Sequence, residues 1–128
     1  MRLLLDTHTF LWWLDGDRRL SARGRRLIAD AATEVFVSAA SAWEITIKAA
    51  AGKLPGALDV AADVAGCLES QGFRPLEITV GHAQRAGGLP PLHRDPFDRM
   101  LAAQALVEGL PLLSNDAVFD RYAVRRIW

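Results

Sequence analysis

The strongest constraint on the fold of this 128-residue chain is an alternation of short apolar runs with helix-like segments. RLLLD (2–6) and EVFVS (34–38) are continuous apolar runs, the pattern of parallel strands buried on both faces. Further strands are predicted at FRPLEI (73–78), PLLS (111–114) and AVRRIW (123–128). Strands that alternate with helices form βαβ crossovers, so we expect a three-layer α/β/α sandwich with a mostly parallel central sheet.

The segments between the strands carry helix signals. Ser21 is a plausible N-cap, Gly52 and Gly109 follow helix ends, and Pro96 takes a first helical position. The helices are predicted at 7–14, 21–32, 39–52, 59–71, 79–88 and 96–109, with a helical turn at 115–122. No repeat or linker interrupts this pattern, so we expect a single domain over residues 1–128.

Composition excludes several classes of protein. Fifteen basic and fifteen acidic residues give zero net charge, which argues against a protein that wraps nucleic acid by bulk positive field. The single cysteine, Cys67, rules out an internal disulfide and a thiolate zinc cage, and fits a cytoplasmic location. No run approaches the ~20 apolar residues of a membrane span, so no membrane association is expected.

Four acids stand at related places in the predicted fold. Asp6 ends the first strand and Asp116 follows the PLLS strand, while Glu44 and Asp98 lie on helices that begin at the same edge of the sheet. Sites in parallel sheets lie outside the carboxyl ends of the strands. The pattern therefore predicts that these four carboxylates meet in one depression.

Helix capping is the alternative explanation for each acid alone. Asp6 and Asp116 could be N-caps, Asp95 could cap the helix that carries Asp98, and Ser41 with Glu44 matches a capping box. Capping does not explain why the acids gather, because carboxylates that meet repel one another unless a cation neutralises them. Oxygen ligands without paired His or Cys favour Mg²⁺ or Mn²⁺, and such an ion supports phosphodiester hydrolysis.

Three ordered segments then resemble the PIN domain, and specifically VapC-type ribonuclease toxins of bacterial toxin–antitoxin pairs. They are LLLDTHTFLWWL, VSAASAWEITIKAAAGKL and LPPLHRDPFDRMLAAQALVEGLPLLSND. The resemblance implies a PIN-like sandwich, an acidic Mg²⁺ site that cleaves RNA, a VapB-like antitoxin that inhibits it, and a homodimer.

The resemblance also implies roles for individual residues. The family acids fall on Asp6, Glu44, Asp98 and Asp116, with Asp6 and Asp98 as metal ligands and the other two as possible ligands. Ser114 stands where many members carry Thr before the last acid. Apart from the resemblance, Thr7 and Ser38 are expected to orient the carboxylates because they stand at strand ends, and Arg94 and Arg99 are placed to meet a phosphate because they flank the acids. Asp95 and Ser114 are the remaining supporting positions. Asp95 is expected to cap and Asp98 to coordinate.

Two other functions remain open. A haloacid-dehalogenase-like phosphatase also places an Asp after its first strand beside Mg²⁺, but it needs a second Asp two residues on, where this chain has His8. A non-catalytic α/β binding module would use the acids only as caps.

Overall fold

The computed structural model describes residues 1–128 and contains five strands and seven α-helices. The strands are β1 (Arg2–Leu5), β2 (Glu34–Ser38), β3 (Arg74–Leu76), β4 (Leu112–Leu113) and β5 (Arg126–Ile127). The helices are α1 (Thr7–Asp15), α2 (Ala22–Ala29), α3 (Ala39–Ala50), α4 (Leu58–Ala62), α5 (Val64–Gln71), α6 (Val80–Gly88) and α7 (Pro96–Glu108). Two 3₁₀ helices cover Pro55–Ala57 and Ala117–Tyr122.

The five strands form one sheet in the order β3-β2-β1-β4-β5, and every pair is parallel. The α/β class and the parallel sheet predicted from the sequence are confirmed. β3, which contains Pro75, lies at the edge as expected. Because all strands run the same way, their carboxyl ends meet at one edge of the sheet, where Asp6 and Asp116 follow β1 and β4.

Helices cover both faces of the sheet, and the central strand β1 supplies both cores. Leu3 and Leu5 pack into one apolar cluster with Phe10 of α1, whereas Leu4 packs into a second cluster with Leu101 of α7. All three leucines are fully buried. This alternation explains why Leu3, Leu4 and Leu5 are all apolar, because side chains of successive strand residues point to opposite faces and here both faces are covered.

The predicted helix over 59–71 is instead two helices, α4 and α5, separated at Asp63. The Asp63 side chain accepts a hydrogen bond from the Gly66 amide at 2.9 Å and so caps α5. An Asp that bonds the backbone two or three residues on favours a cap over a helix interior. The longest helix, α7, has 13 residues, and no helix has the length and hydropathy needed to cross a bilayer.

Candidate functional site

A pocket of about 300 Å³ opens at the carboxyl ends of β1 and β4, and it has no hydrophobic residue in its lining. All four acids singled out from the sequence border it. The lining consists of Asp6, Thr7, His8, Glu44, Lys48, His93, Asp95, Asp98, Asn115 and Asp116. The fold thus gathers residues that are up to 110 positions apart into one acidic pocket.

Asp6 is the most buried aspartate of this pocket, with 7% of its surface exposed. Its Oδ1 accepts a hydrogen bond from the Thr9 amide at 2.8 Å, so Asp6 is the N-cap of α1 as well as a pocket residue. Its Oδ2 accepts a hydrogen bond from the Ser114 hydroxyl. Burial raises the pKa of Asp6, and the bonds from Ser114 and Thr9 act against that rise because they favour the carboxylate.

Ser114 connects two acids of the pocket from a fully buried position. Its hydroxyl donates to Asp6 and accepts from the Asp116 amide at 3.0 Å. Asp116 is exposed, and its Oδ1 caps the following 3₁₀ helix by accepting from the Val118 amide at 2.9 Å. Ser114 therefore orients the Asp6 carboxylate and the backbone that carries Asp116.

Glu44 is buried, and it pairs with Lys48 one turn further along α3. The Lys48 Nζ lies 2.5 Å from Glu44 Oε2. The capping-box alternative for Ser41 and Glu44 is wrong, because the Ser38 hydroxyl caps α3 by accepting from the Ala40 amide. Glu44 thus points into the pocket from the interior of a helix and caps nothing.

Asp95 and Asp98 both lie at the start of α7 but make different contacts. Asp95 Oδ1 accepts from the amides of Phe97 and Asp98 at 2.8 and 3.2 Å, which confirms that Asp95 is the N-cap. Asp98 Oδ2 is 2.8 Å from His93 Nε2. Burial raises the pKa of Asp98 to about 6, and the neighbouring Asp95 charge adds to the rise while His93 opposes it. Ligand atoms of His93, Asp95 and Asp98 lie within 4.8 Å of one another.

Thr7 borders the pocket, whereas two of the predicted supporting residues lie elsewhere. The Thr7 hydroxyl donates to Ser41 at 3.0 Å and so joins α1 to α3 beneath the acids. Ser38, the last residue of β2, donates to Gln104 Oε1 of α7 and borders a separate, mainly apolar groove, so it is not part of the acidic pocket.

Arg99 was expected beside the acids as a substrate contact, and the structure corrects this. Its guanidinium donates four hydrogen bonds to backbone carbonyls, at distances of 2.8 to 3.3 Å. The acceptors are Ala86, Leu89, Pro90 and His93. Arg99 therefore fixes the loop between α6 and α7, and both of its terminal nitrogens, Nη1 and Nη2, are engaged there.

Four further pocket residues, His8, Lys48, His93 and Asn115, were not predicted as site residues. Lys48 carried a signal in the sequence, since the spacing i,i+4 from Glu44 puts both on one helix face. Asn115 stands directly before Asp116. His93 belongs to a loop whose path depends on Arg99, so its contact with Asp98 could not be inferred from spacing.

The donor set of the pocket fits a hard divalent cation. Five carboxylates face one ammonium group, so the pocket carries an excess of negative charge. Asp95, Asp98 and Asp116 each leave one carboxylate oxygen free of protein hydrogen bonds, whereas each oxygen of Asp6 accepts one. Oxygen-rich ligand sets of this kind suit Mg²⁺ or Mn²⁺.

With this geometry established, comparison with known proteins decides the family. The profile of the PIN domain matches residues 3–125, which is nearly the whole chain. This chain belongs to the PIN domain family. PIN domains are generally nucleases. No curated protein sequence matches this chain significantly.

Solved structures share the PIN fold of this chain at low sequence identity. VapBC2 from Rickettsia felis, bound to a DNA fragment from its promoter, is similar with a TM-score of 0.74 and 16% identity over 99% of this chain and 98% of that one. A toxin–antitoxin complex from Klebsiella pneumoniae is similar with a TM-score of 0.69 and 16% identity, over 98% of this chain and 96% of that one. FitAcB from Neisseria gonorrhoeae is similar with a TM-score of 0.68 and 18% identity, over 98% of this chain and 96% of that one.

Proposed function

We propose that this PIN domain is a metal-dependent endoribonuclease and the toxin of a toxin–antitoxin pair. The observation that carries the proposal is the meeting of Asp6, Glu44, Asp98 and Asp116 in one pocket without an apolar lining residue. Membership of a family that generally comprises nucleases supports hydrolysis of a nucleic acid phosphodiester.

In this proposal Asp6 and Asp98 hold Mg²⁺, for which Mn²⁺ can substitute, and Glu44 and Asp116 are possible additional ligands. When bound, the ion lowers the pKa of a water molecule and neutralises charge on the phosphate oxygens. Ser114 keeps Asp6 oriented toward the pocket. The Asp95 cap fixes the first turn of α7, and with it the place of Asp98.

A purely structural role for the acids accounts for part of the pocket only. Asp6, Asp95 and Asp116 each cap a helix. Glu44 caps no helix, and its burial beside four aspartates would be unfavourable without Lys48 and a further cation. No feature of the pocket favours the dehalogenase-like phosphatase over a nuclease.

A VapB-like antitoxin is the proposed protein partner. The structural relatives from Rickettsia felis and Klebsiella pneumoniae are VapBC and toxin–antitoxin complexes, and they cover nearly all of this chain. A homodimer and a cytoplasmic location complete the proposal; the single cysteine, Cys67, is free and fits a reducing compartment.

The first experiment is Mn²⁺ binding by the purified protein, compared with Asp6→Asn and Asp98→Asn. Both variants keep a capping or polar side chain, so the fold is retained while a ligand charge is lost. We expect binding to the wild type and loss in both variants. RNA cleavage is then measured with Mg²⁺ and with a chelator. A wild type that binds no Mn²⁺ would overturn the proposal.

A further inference from the structure

A second pocket, of about 330 Å³, adjoins the acidic one and is mainly apolar. We propose that it receives an unpaired nucleobase of the RNA substrate, stacked on Trp43, one nucleotide away from the phosphate that would be bound through the metal ion of the acidic pocket. This inference rests on the proposed nuclease function. It adds a binding place for one base of the substrate and names Trp43 as the side chain that positions this base.

Trp43 is the one exposed aromatic side chain of the protein. Among four Trp, five Phe and one Tyr, it alone is exposed, with 60% of its surface accessible. Its ring system packs against Phe97 in a T-shaped arrangement, with ring centroids 5.2 Å apart and an interplanar angle of 80°. Phe97 therefore holds the indole in place. The exposed surface of the indole remains available for stacking.

The two pockets meet along three pairs of sequence neighbours. Glu44, Asp95 and Asp98 border the acidic pocket. Their respective neighbours Trp43, Arg94 and Phe97 border the apolar one. A chain whose phosphate lies at the carboxylates can thus place an adjacent base against Trp43, because neighbouring residues on α3 and α7 serve both pockets.

Two arginines, Arg94 and Arg99, line the second pocket, and they differ in their hydrogen bonding. The Arg99 guanidinium donates hydrogen bonds to four backbone carbonyls and lines the pocket. Arg94 is exposed and makes no hydrogen bond or salt bridge within the protein, so its guanidinium is free to meet a phosphate. A free cation beside an aromatic face is the combination that single-strand binding sites use.

The geometry favours unpaired over paired RNA. In a duplex both faces of each base are covered by neighbouring bases, so stacking on Trp43 requires a base that is already unstacked. Trp43 carries no hydrogen-bonding requirement for a particular base on its ring face, so the stacking itself is tolerant of sequence.

The test is binding of fluorescein-labelled single-stranded oligoadenylate and oligouridylate, measured by anisotropy with Ca²⁺ in place of Mg²⁺. The variants are Trp43→Ala, Trp43→Phe and the control Ile47→Ala, which removes another exposed apolar side chain from α3 outside the pocket. We expect Trp43→Ala to weaken binding about tenfold or more, and Trp43→Phe to retain most of the affinity. Ile47→Ala should bind like the wild type, and Mn²⁺ binding should persist in all three.

A single abasic nucleotide, moved along the oligonucleotide, identifies the stacked base. At one position the abasic substitution should weaken wild-type binding as much as Trp43→Ala does, and the two losses should not add. Unchanged RNA affinity in Trp43→Ala, with Mn²⁺ binding still abolished in Asp6→Asn, would overturn the stacking site and leave the nuclease proposal standing. Loss of dimerisation in Trp43→Ala and Ile47→Ala with normal RNA affinity would overturn it too. A wild type that binds neither Mn²⁺ nor RNA would overturn both proposals.

Discussion

The Lys48 ammonium lies 2.5 Å from Oε2 of the buried Glu44, in the same pocket as four aspartates. Burial acts to lower the pKa of Lys48, but the hydrogen bond and charge of Glu44 outweigh it and the pKa is raised. A raised lysine pKa means that the stabilisation is fully present below the pKa of the unfolded state, and so at neutral pH. Lys48 therefore acts as a permanent counter-ion of the pocket.

Replacement of this counter-ion should make the fold depend on a metal. Lys48→Met should lower the free energy of unfolding in chelator by about 1–3 kcal/mol, because Glu44 is left buried without its partner. Added Mn²⁺ should restore more stability to the variant than to the wild type. Urea unfolding with and without Mn²⁺ measures both effects. Lys53→Met, at the exposed second lysine, is the control, and equal losses in the two variants would contradict the prediction.

Asp98 should make the metal-free protein less stable as the pH rises. Its pKa is about 6 in the folded protein against 3.8 as the ordinary value, so the folded state binds the proton more tightly. The stabilising contribution is present below pH 3.8 and is lost through about pH 6. Asp98→Asn has no such proton, so its stability relative to the wild type should grow across that window.

Urea unfolding in chelator on both sides of this window tests the Asp98 prediction. Asp95→Ala gives the contrast, since loss of a cap should cost about 1 kcal/mol. A difference between Asp98→Asn and the wild type that stays constant with pH would exclude the assigned titration.

Ser114→Ala should weaken metal binding without a change to any proposed ligand. Asp6 loses a hydrogen bond that lowers its pKa, so the carboxylate becomes harder to ionise. Mn²⁺ affinity should therefore fall more at mildly acidic pH than at alkaline pH. Stability should drop by about 1–3 kcal/mol, because the buried Asp6 carboxylate and the Asp116 amide each lose a hydrogen-bond partner. Ser114→Thr, which keeps the hydroxyl, should recover metal binding; equal affinity in Ser114→Ala and the wild type would refute this role.

Arg99→Lys should destabilise the protein although it keeps the charge. A single ammonium cannot replace a planar guanidinium that reaches four carbonyls, so we expect a loss of about 2 kcal/mol or more. Arg94→Lys, at an exposed residue without protein partners, should change stability by less than about 0.5 kcal/mol. Chemical denaturation measures the stability of both variants. Similar stabilities would show that the four hydrogen bonds of Arg99 do not stabilise the fold.

Sequence patterns predicted the elements whose signals are local. EVFVS gave the bounds of β2, and Pro96 and Gly109 marked the ends of α7, because continuous apolar runs and cap residues act within a few positions. The predicted helix over 59–71 failed at Asp63, because an Asp can be read as a surface helix residue or as a cap. Apolar spacing alone does not separate these two states.

The gathering of the four acids could be predicted because parallel topology sets which strand and helix ends meet. The partners of individual side chains could not. Ser38 donates a hydrogen bond to Gln104, which is 66 positions away, and Arg99 donates to backbone carbonyls before α7. Such contacts depend on how helices pack against one another, which short-range spacing does not specify. The sequence predicted only the i,i+4 pair of Lys48 with Glu44 on one helix. The position of Lys48 among the aspartates follows from tertiary packing.

The sheet order also determines when this site can exist during synthesis. The ribosome makes the chain from its N-terminus, yet the neighbour of β1 on the side of Ser114 is β4, formed by residues 112 and 113. A nascent chain holding only residues 1–111 has Asp6 beside an open sheet edge and lacks both Ser114 and Asp116. The pocket therefore cannot be complete before residue 116 has been made, and a ribosome-bound fragment that ends at residue 111 carries Asp6, Glu44 and Asp98 without an assembled centre.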